Sequence, residues 1–244
     1  MREHINHLYE KYADELRIAR KEQRAIREND SSMKAQLDDI EAEITYLLIR
    51  EHRPATVVEI GCLHGWSTTW ILRALRDNDN DNDRGHLHSY DIRPDAASHV
   101  PVELSGTRWT FHQGDVRDQR RQLPDPIDYL FMDAAHSGGF ARWYLEHVVP
   151  LLAPGTPVSV HDVFHGARPL PLTEGAVLLS WLKDHHVDYF TPSKAKARAT
   201  YDQLNRLREQ LGLSEPVHSG QDNPMLFFQT PPERHSNHFD AGQH

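Results

Sequence analysis

The chain has a single cysteine, Cys62, among its 244 residues. No disulfide can staple it internally, so its stability has to come from packing, and the expected location is a reducing cytoplasm. Long apolar runs are also missing. Nothing approaches the roughly 18 consecutive apolar residues of a membrane-spanning helix, and the first residues are charged, with no apolar signal core. No membrane association is expected. Positive charge is short as well: 27 Lys and Arg stand against 36 Asp and Glu, a net charge of −9. Phosphate backbones are held by clustered cations, and no Lys/Arg stripe exists here, which argues against nucleic acid as a partner. The one basic stretch, residues 194–198, reads as a solvated helix face. No internal repeat occurs. Apolar residues make up 38%, enough for one core, and the length suits one α/β domain with additions.

What is present is an alternation of two periodicities. Residues 3–30 place Ile5, Leu8, Tyr12 and Leu16 at helical spacing and predict one helix, which docks either on its own domain or, in a homodimer, on a second subunit. Residues 36–51 predict another, with Leu37, Ile40, Ile44, Leu47 and Leu48 as its apolar stripe. Short apolar runs at 56–60, 86–91, 108–113, 127–132 and 157–161 predict strands, with helices at 66–76, 95–104 and 139–152 between them. Such alternation predicts a parallel sheet covered on both faces by right-handed crossovers. Residues 77–84 (DNDNDNDR) predict a mobile polar loop. Further on, 173–185 and 194–211 read as helices, 187–191 and 225–229 as strands, and the tail, 233–244, as disordered.

In an open α/β sheet, ligands bind beyond the carboxyl ends of the strands. An acidic residue recurs at or just beyond all five of the first strand ends: Glu59, Asp91, Asp115, Asp133 and Asp162. The first strand runs into Glu59-Ile-Gly61-Cys-Leu-His-Gly65-Trp-Ser67 and then a helix. Gly61 and Gly65 allow a sharp turn and close approach to a ligand. The spacing G-x-x-x-G differs from the G-x-G-x-x-G of a dinucleotide site, and Glu59 would repel a phosphate. A ligand with a positive amino group, such as the methionine part of S-adenosylmethionine (SAM), suits it better. Ser67, near a helix N-terminus, could hold that ligand's carboxylate. Asp91 could accept hydrogen bonds from ribose hydroxyls, and Gly114-Asp115 could contact an adenine amino group. Asp133, His136, His161 and Asp162 belong to two consecutive strand ends. Carboxylates with imidazole suit a divalent cation, Mg²⁺ or Mn²⁺ when oxygen dominates. His136 could also take a proton from a substrate hydroxyl. His165 is a second-rank candidate; the histidines of the tail read as solvated.

Together VVEIGCLHGWS, SYDI, QGDV, DYLFMDAAH and LLAPGTPVSVHDV resemble class I SAM-dependent O-methyltransferases. The resemblance is to the metal-dependent branch that includes catechol O-methyltransferase and the macrolide sugar O-methyltransferases of actinomycete antibiotic pathways. It covers residues 36–165 and the last strand. It implies a doubly wound, Rossmann-like, seven-stranded sheet with the last strand antiparallel. It further implies an N-terminal helical extension (1–50), a methyltransferase domain (51–232) and an acceptor-shaping region (164–222). By position, Glu59, Gly61, Gly65, Ser67, Asp91 and Asp115 match SAM contacts, and Asp133, His161 and Asp162 match the metal ligands. His136 matches the catalytic base, which is Lys in the catechol enzymes and His in the sugar enzymes. His161 stands where the family more often has a carboxylate, and residues 164–222 match no family pattern. The expected activity is methyl transfer to a hydroxyl of a small molecule, a natural-product or sugar intermediate. Three alternatives stay open: a metal-independent methyltransferase with His136 as base alone, a non-catalytic SAM-binding protein, and a nicotinamide-dependent oxidoreductase, which the glycine spacing disfavours.

Overall fold

The computed structural model describes residues 1–79, 85–218 and 220–231. Three helices lead the chain: α1 (Arg2–Lys11), α2 (Ala13–Asn29) and α3 (Asp39–His52). Strands β1 (Thr56–Ile60), β2 (His86–Asp91), β3 (Trp109–Gln113), β4 (Tyr129–Met132), β5 (Pro157–Val160), β6 (Tyr189–Phe190) and β7 (Leu226–Gln229) follow. They form one seven-stranded sheet in the order β3-β2-β1-β4-β5-β7-β6. The first five strands run parallel, and β7 is antiparallel to both its neighbours, β5 and β6. The expected doubly wound sheet with an antiparallel last strand is therefore the one observed.

Helices α4 (Trp66–Asp79), α5 (Ala96–His99), α6 (Val102–Ser105), α7 (Gly138–His147), α8 (Glu174–Asp184) and α9 (Arg198–Gln210) complete the fold. The central strands are apolar at almost every position because both of their faces are covered. Residues alternate between two layers, as strand pleating requires. Val57, Tyr129, Phe131 and Phe227 face a cluster shared with α1 to α4 and α9. Val58, Leu130, Met132, Leu226 and Phe228 face a second cluster with α7 and α8. The N-terminal helices thus share one apolar layer with the sheet. No helix among the described residues is long and apolar enough to cross a membrane.

Boundaries moved where proline intervenes. The helix expected over 95–104 is two single turns, α5 and α6, because Pro101 forces Val100 into an extended conformation. The helix expected over 139–152 ends at His147, and a 3-10 turn containing Pro150 follows. The single helix expected over 3–30 breaks at Tyr12, although the sequence carries no glycine or proline there. Helix α4 continues through Asp77, Asn78 and Asp79, which the sequence suggested as loop. The rest of that loop, 80–84, and the tail from 232 lie outside the described residues. The strand expected over 187–191 is reduced to Tyr189 and Phe190 at the sheet edge.

A buried ionic cluster ties the helices together. Glu43 of α3 has no exposed surface and accepts hydrogen bonds from Tyr9 of α1 (2.9 Å), Arg20 of α2 and Arg208 of α9 (2.7 Å). Asp39 lies on the same arginines and accepts from the backbone of Val217 and His218. Removing one member of such a group leaves uncompensated buried charge, which costs about 3–5 kcal/mol. Glu43→Ala should therefore lose stability of that order in urea denaturation. A loss below about 1 kcal/mol would mean that the cluster contributes little beyond surface pairs.

Candidate functional site at the strand ends

The parallel register brings the carboxyl ends of β2, β1, β4 and β5 into line. Ile60 pairs with both Tyr90 and Met132, and Met132 with Val160. The residues that follow, Gly61, Asp91, Asp133 and His161, therefore stand side by side. Gly61 has φ +85° and lies so close to the Asp133 carbonyl that a Cβ would come within 1.8 Å of its oxygen. Only glycine can occupy that position. The turn then passes through Leu63 (φ 44°) and Gly65 (φ +80°) into α4. Asp91 clamps this turn: its Oδ2 accepts from the Cys62 and Leu63 amides at 2.9 and 2.8 Å, and its Oδ1 from Arg93 N at 2.9 Å.

Glu59 is directed into the α4 layer and has no exposed surface. It accepts from the hydroxyls of Ser67 (2.5 Å), Thr68 (2.7 Å) and Ser89 (2.6 Å). It therefore fastens the start of α4 and β2 to β1 from inside. The Ser67 hydroxyl proton is committed to Glu59; what this segment offers an anion is the N–H groups of the first turn of α4, which lack intrahelical partners. Asp115 lies at the end of β3, held by Arg117 through its side chain and backbone amide, and that guanidinium keeps its carboxyl below the usual range.

The second half of the site joins the ends of β4 and β5. One donor atom each from Asp133, His136 and Asp162 lies within 4.8 Å of the others. His136 Nε2 is 3.3 Å from Asp162 Oδ2 and 3.8 Å from Asp133 Oδ1. Asp162 takes a left-handed backbone (φ 56°), which aspartate tolerates better than most residues. His161 is 4% exposed and lies beneath the two aspartates. Its Nδ1 is 3.3 Å from Asp133 and 3.1 Å from Asp162; its Nε2 is 3.3 Å from Glu41 of α3. Burial alone would lower its pKa, but Asp133 and Glu41 outweigh burial and raise it well above the ordinary value. Burial would raise Asp162, but contact with His161 and the charge of His136 pull it down to about 2. The convergent trio thus contains His136, with His161 as the buried imidazole behind it. His165 reaches Asp162 at 3.1 Å from an exposed position.

Two buried carboxylates at this end of the sheet went unnoticed in the sequence. Glu41 closes a capping box with Asp38 and accepts from Met225 N at 2.7 Å, besides facing His161. The D-x-x-E spacing signals the cap, but nothing local signals the contact across the fold. Glu174, the first residue of α8, stands 3.2 Å from Nδ1 of His136. A separate cavity of about 730 Å³, lined by Met1, His4, Pro157 and Phe228, opens at the other end of the sheet and contains none of these groups.

The fold has counterparts. Residues 58–163 match a protein family described as a methyltransferase domain. The sheet order and the antiparallel β7 are those of the class I methyltransferase fold. That match spans β1 to the end of β5 and so includes the whole glycine turn and the aspartate pair. Solved structures share the fold, two of the three that follow being described as methyltransferases. An O-methyltransferase from Bacillus cereus in complex with SAH is 16% identical, with a TM-score of 0.55 over 94% of this chain and 100% of that one. Cofactor-bound Rv0187 from MTB is 15% identical, with a TM-score of 0.57 over 90% and 91%. A methyltransferase from Geobacter sulfurreducens is 19% identical, with a TM-score of 0.51 over 89% of each. No curated protein matches the chain in sequence.

Glu59 gives the domain a pH signature. Burial raises its pKa from the usual 4.5 to about 7, against the opposing effect of the three hydroxyl donors. A carboxyl raised on folding contributes stability that is full below about 4.5 and is lost as pH rises through about 7. Between those limits the wild type should lose on the order of 3 kcal/mol relative to Glu59→Gln, which stays neutral. Parallel stability–pH curves for the two proteins would show that Glu59 is ionised throughout.

Proposed function

We propose that the chain is a SAM-dependent O-methyltransferase that transfers a methyl group to a hydroxyl of a small molecule, with a divalent cation, Mg²⁺ or Mn²⁺, at Asp133 and Asp162 and with His136 beside it as the base. The observation that carries this reading is the contact of Gly61 with the Asp133 carbonyl. It makes the glycine turn and the aspartate pair neighbours, so a methyl donor on the turn and an acceptor at the aspartates would meet.

The residues fit both groups. For SAM, the first turn of α4 offers N–H donors to a carboxylate. Asp91 uses three of its roughly four acceptor positions on backbone amides, leaving room for a ribose hydroxyl. Asp115 stands at the neighbouring strand end, where an adenine amino group would lie. For the cation, carboxylate oxygens of Asp133 and Asp162 lie within 4.8 Å of one another, close enough to share one ion with the acceptor's own oxygens. A bound cation supplies positive charge that lowers the pKa of an adjacent hydroxyl. His136, with a side chain 43% exposed, is the group able to take that proton. A donor on the turn and an acceptor at the aspartate pair would be held as neighbours, which removes much of the entropic barrier. An acceptor from a natural-product or sugar pathway is consistent with the sequence resemblance.

A second reading, transfer without a cation, is favoured by His161. A protonated imidazole buried between Asp133, Asp162 and Glu41 already offsets negative charge there.

Calorimetry should find SAM or SAH bound at micromolar affinity and NAD not bound. Asp91→Ala should weaken SAM binding by about 1–3 kcal/mol through lost hydrogen bonds and a loosened turn; an unchanged dissociation constant would move the ribose site elsewhere. In assays against vicinal diols, catechols and amino sugars, methyl transfer should cease on exhaustive chelation and return with Mg²⁺ or Mn²⁺. Full activity after chelation, with metal content verified, selects the second reading.

A further inference from the structure

We infer that Glu174 is the positioning residue of this site: its buried carboxylate accepts a hydrogen bond from Nδ1 of His136 and so leaves the imidazole lone pair on Nε2, the nitrogen that faces Asp133 and Asp162.

His136 has carboxylates on both sides. Nδ1 lies 3.2 Å from Glu174 Oε2, and Nε2 lies 3.3 Å from Asp162 Oδ2. Only the contact with Glu174 is aligned as a hydrogen bond. A neutral imidazole carries one N–H, and an ionised carboxylate can only accept. The proton therefore resides on Nδ1, and Nε2 is free to take a proton from an acceptor hydroxyl. Histidines whose far nitrogen is tied to a carboxylate in this way are fixed in both tautomer and ring orientation.

The backbone places the two groups together. Gly138 N donates to Leu172 O at 2.9 Å, Glu174 N donates to His136 O at 3.2 Å, and Ser137 bridges Thr173. A Cβ at Gly138 would stand 2.6 Å from Leu172 O, so glycine is what lets the two segments pair so closely. Glu174 is 3% exposed, and its Oε1 has no hydrogen-bond partner among the described residues. The Tyr144 hydroxyl lies beside it and offsets part of the burial, but burying a carboxylate still costs stability. Its one well-aligned side-chain partner is His136. The segment that delivers it, the start of α8, belongs to the region that matches no family pattern.

This inference rests on the methyltransferase reading for its catalytic consequence but not for its geometry, and the test separates the two. Long-range ¹H–¹⁵N spectra of the full-length, chelator-treated protein, taken alkaline of the His136 titration, should show the Nδ1–H tautomer at His136. In Glu174→Gln the amide can donate to Nδ1, so Nε2–H should rise at its expense; Glu174→Ala should lose the preference. Against an acceptor turned over by the wild type, Glu174→Gln should lower kcat by about 10- to 100-fold with the SAM KM unchanged. The double variant His136→Ala/Glu174→Gln should be no slower than His136→Ala. Wild-type His136 in the Nε2–H form, or a Glu174→Gln protein with unaltered tautomer and kcat, overturns the assignment. A wild-type Nδ1–H signal in a protein that binds no SAM would leave Glu174 in place and remove the methyltransferase reading instead.

Discussion

Gly61 rests against the carbonyl of Asp133 at a distance that excludes any side chain. That single close approach sets the geometry of everything above the sheet. It brings the turn after β1 across the end of β4, so that the ground on which a cofactor would lie and the carboxylates that would face an acceptor share one wall. Parallel pairing supplies the rest, since the ends of adjacent parallel strands are level and their following residues point the same way.

Around this contact the protein buries an unusual number of acids. Glu41, Glu43, Glu59 and Glu174 are all nearly inaccessible. Each is costly in isolation, and each is compensated differently. Glu43 is met by two guanidiniums, Glu59 by three hydroxyls, Glu41 by backbone amides and an imidazole, and Glu174 by an imidazole and the neighbouring Tyr144 hydroxyl. The first two are structural fasteners between elements. The last two end on the histidines of the strand-end cluster, so the fold's internal charges and the site's chemistry form one connected system from α3 to α8.

That connection changes the meaning of the chain's outer segments. The N-terminal helices share the apolar layer of the sheet and deliver Glu41 beneath His161. The region after β5 delivers Glu174 to His136 and Arg208 to Glu43. A segment without family resemblance can thus still shape a shared site, because a single side chain at the right distance is enough to orient an imidazole.

The sequence by itself determined the strands and their alternation with helices, because short apolar runs and glycine turns are local signals, whereas the order of the strands came from their pairing. Strands 56–60 and 86–91 needed no adjustment, and the row Glu59, Asp91, Asp115, Asp133, Asp162 was visible from strand ends alone. Proline effects at Pro101 and Pro150 were legible in principle but were outweighed by apolar periodicity. Only the tertiary structure decided which way the side chains at those ends turn. Glu59 points inward to Ser67, Thr68 and Ser89, and His161 is covered by Glu41, while His136 stands open beside the aspartates. Those choices depend on partners 8 to 120 residues away in chains of contact that no local spacing encodes, since burial and charge act through space and not along the chain.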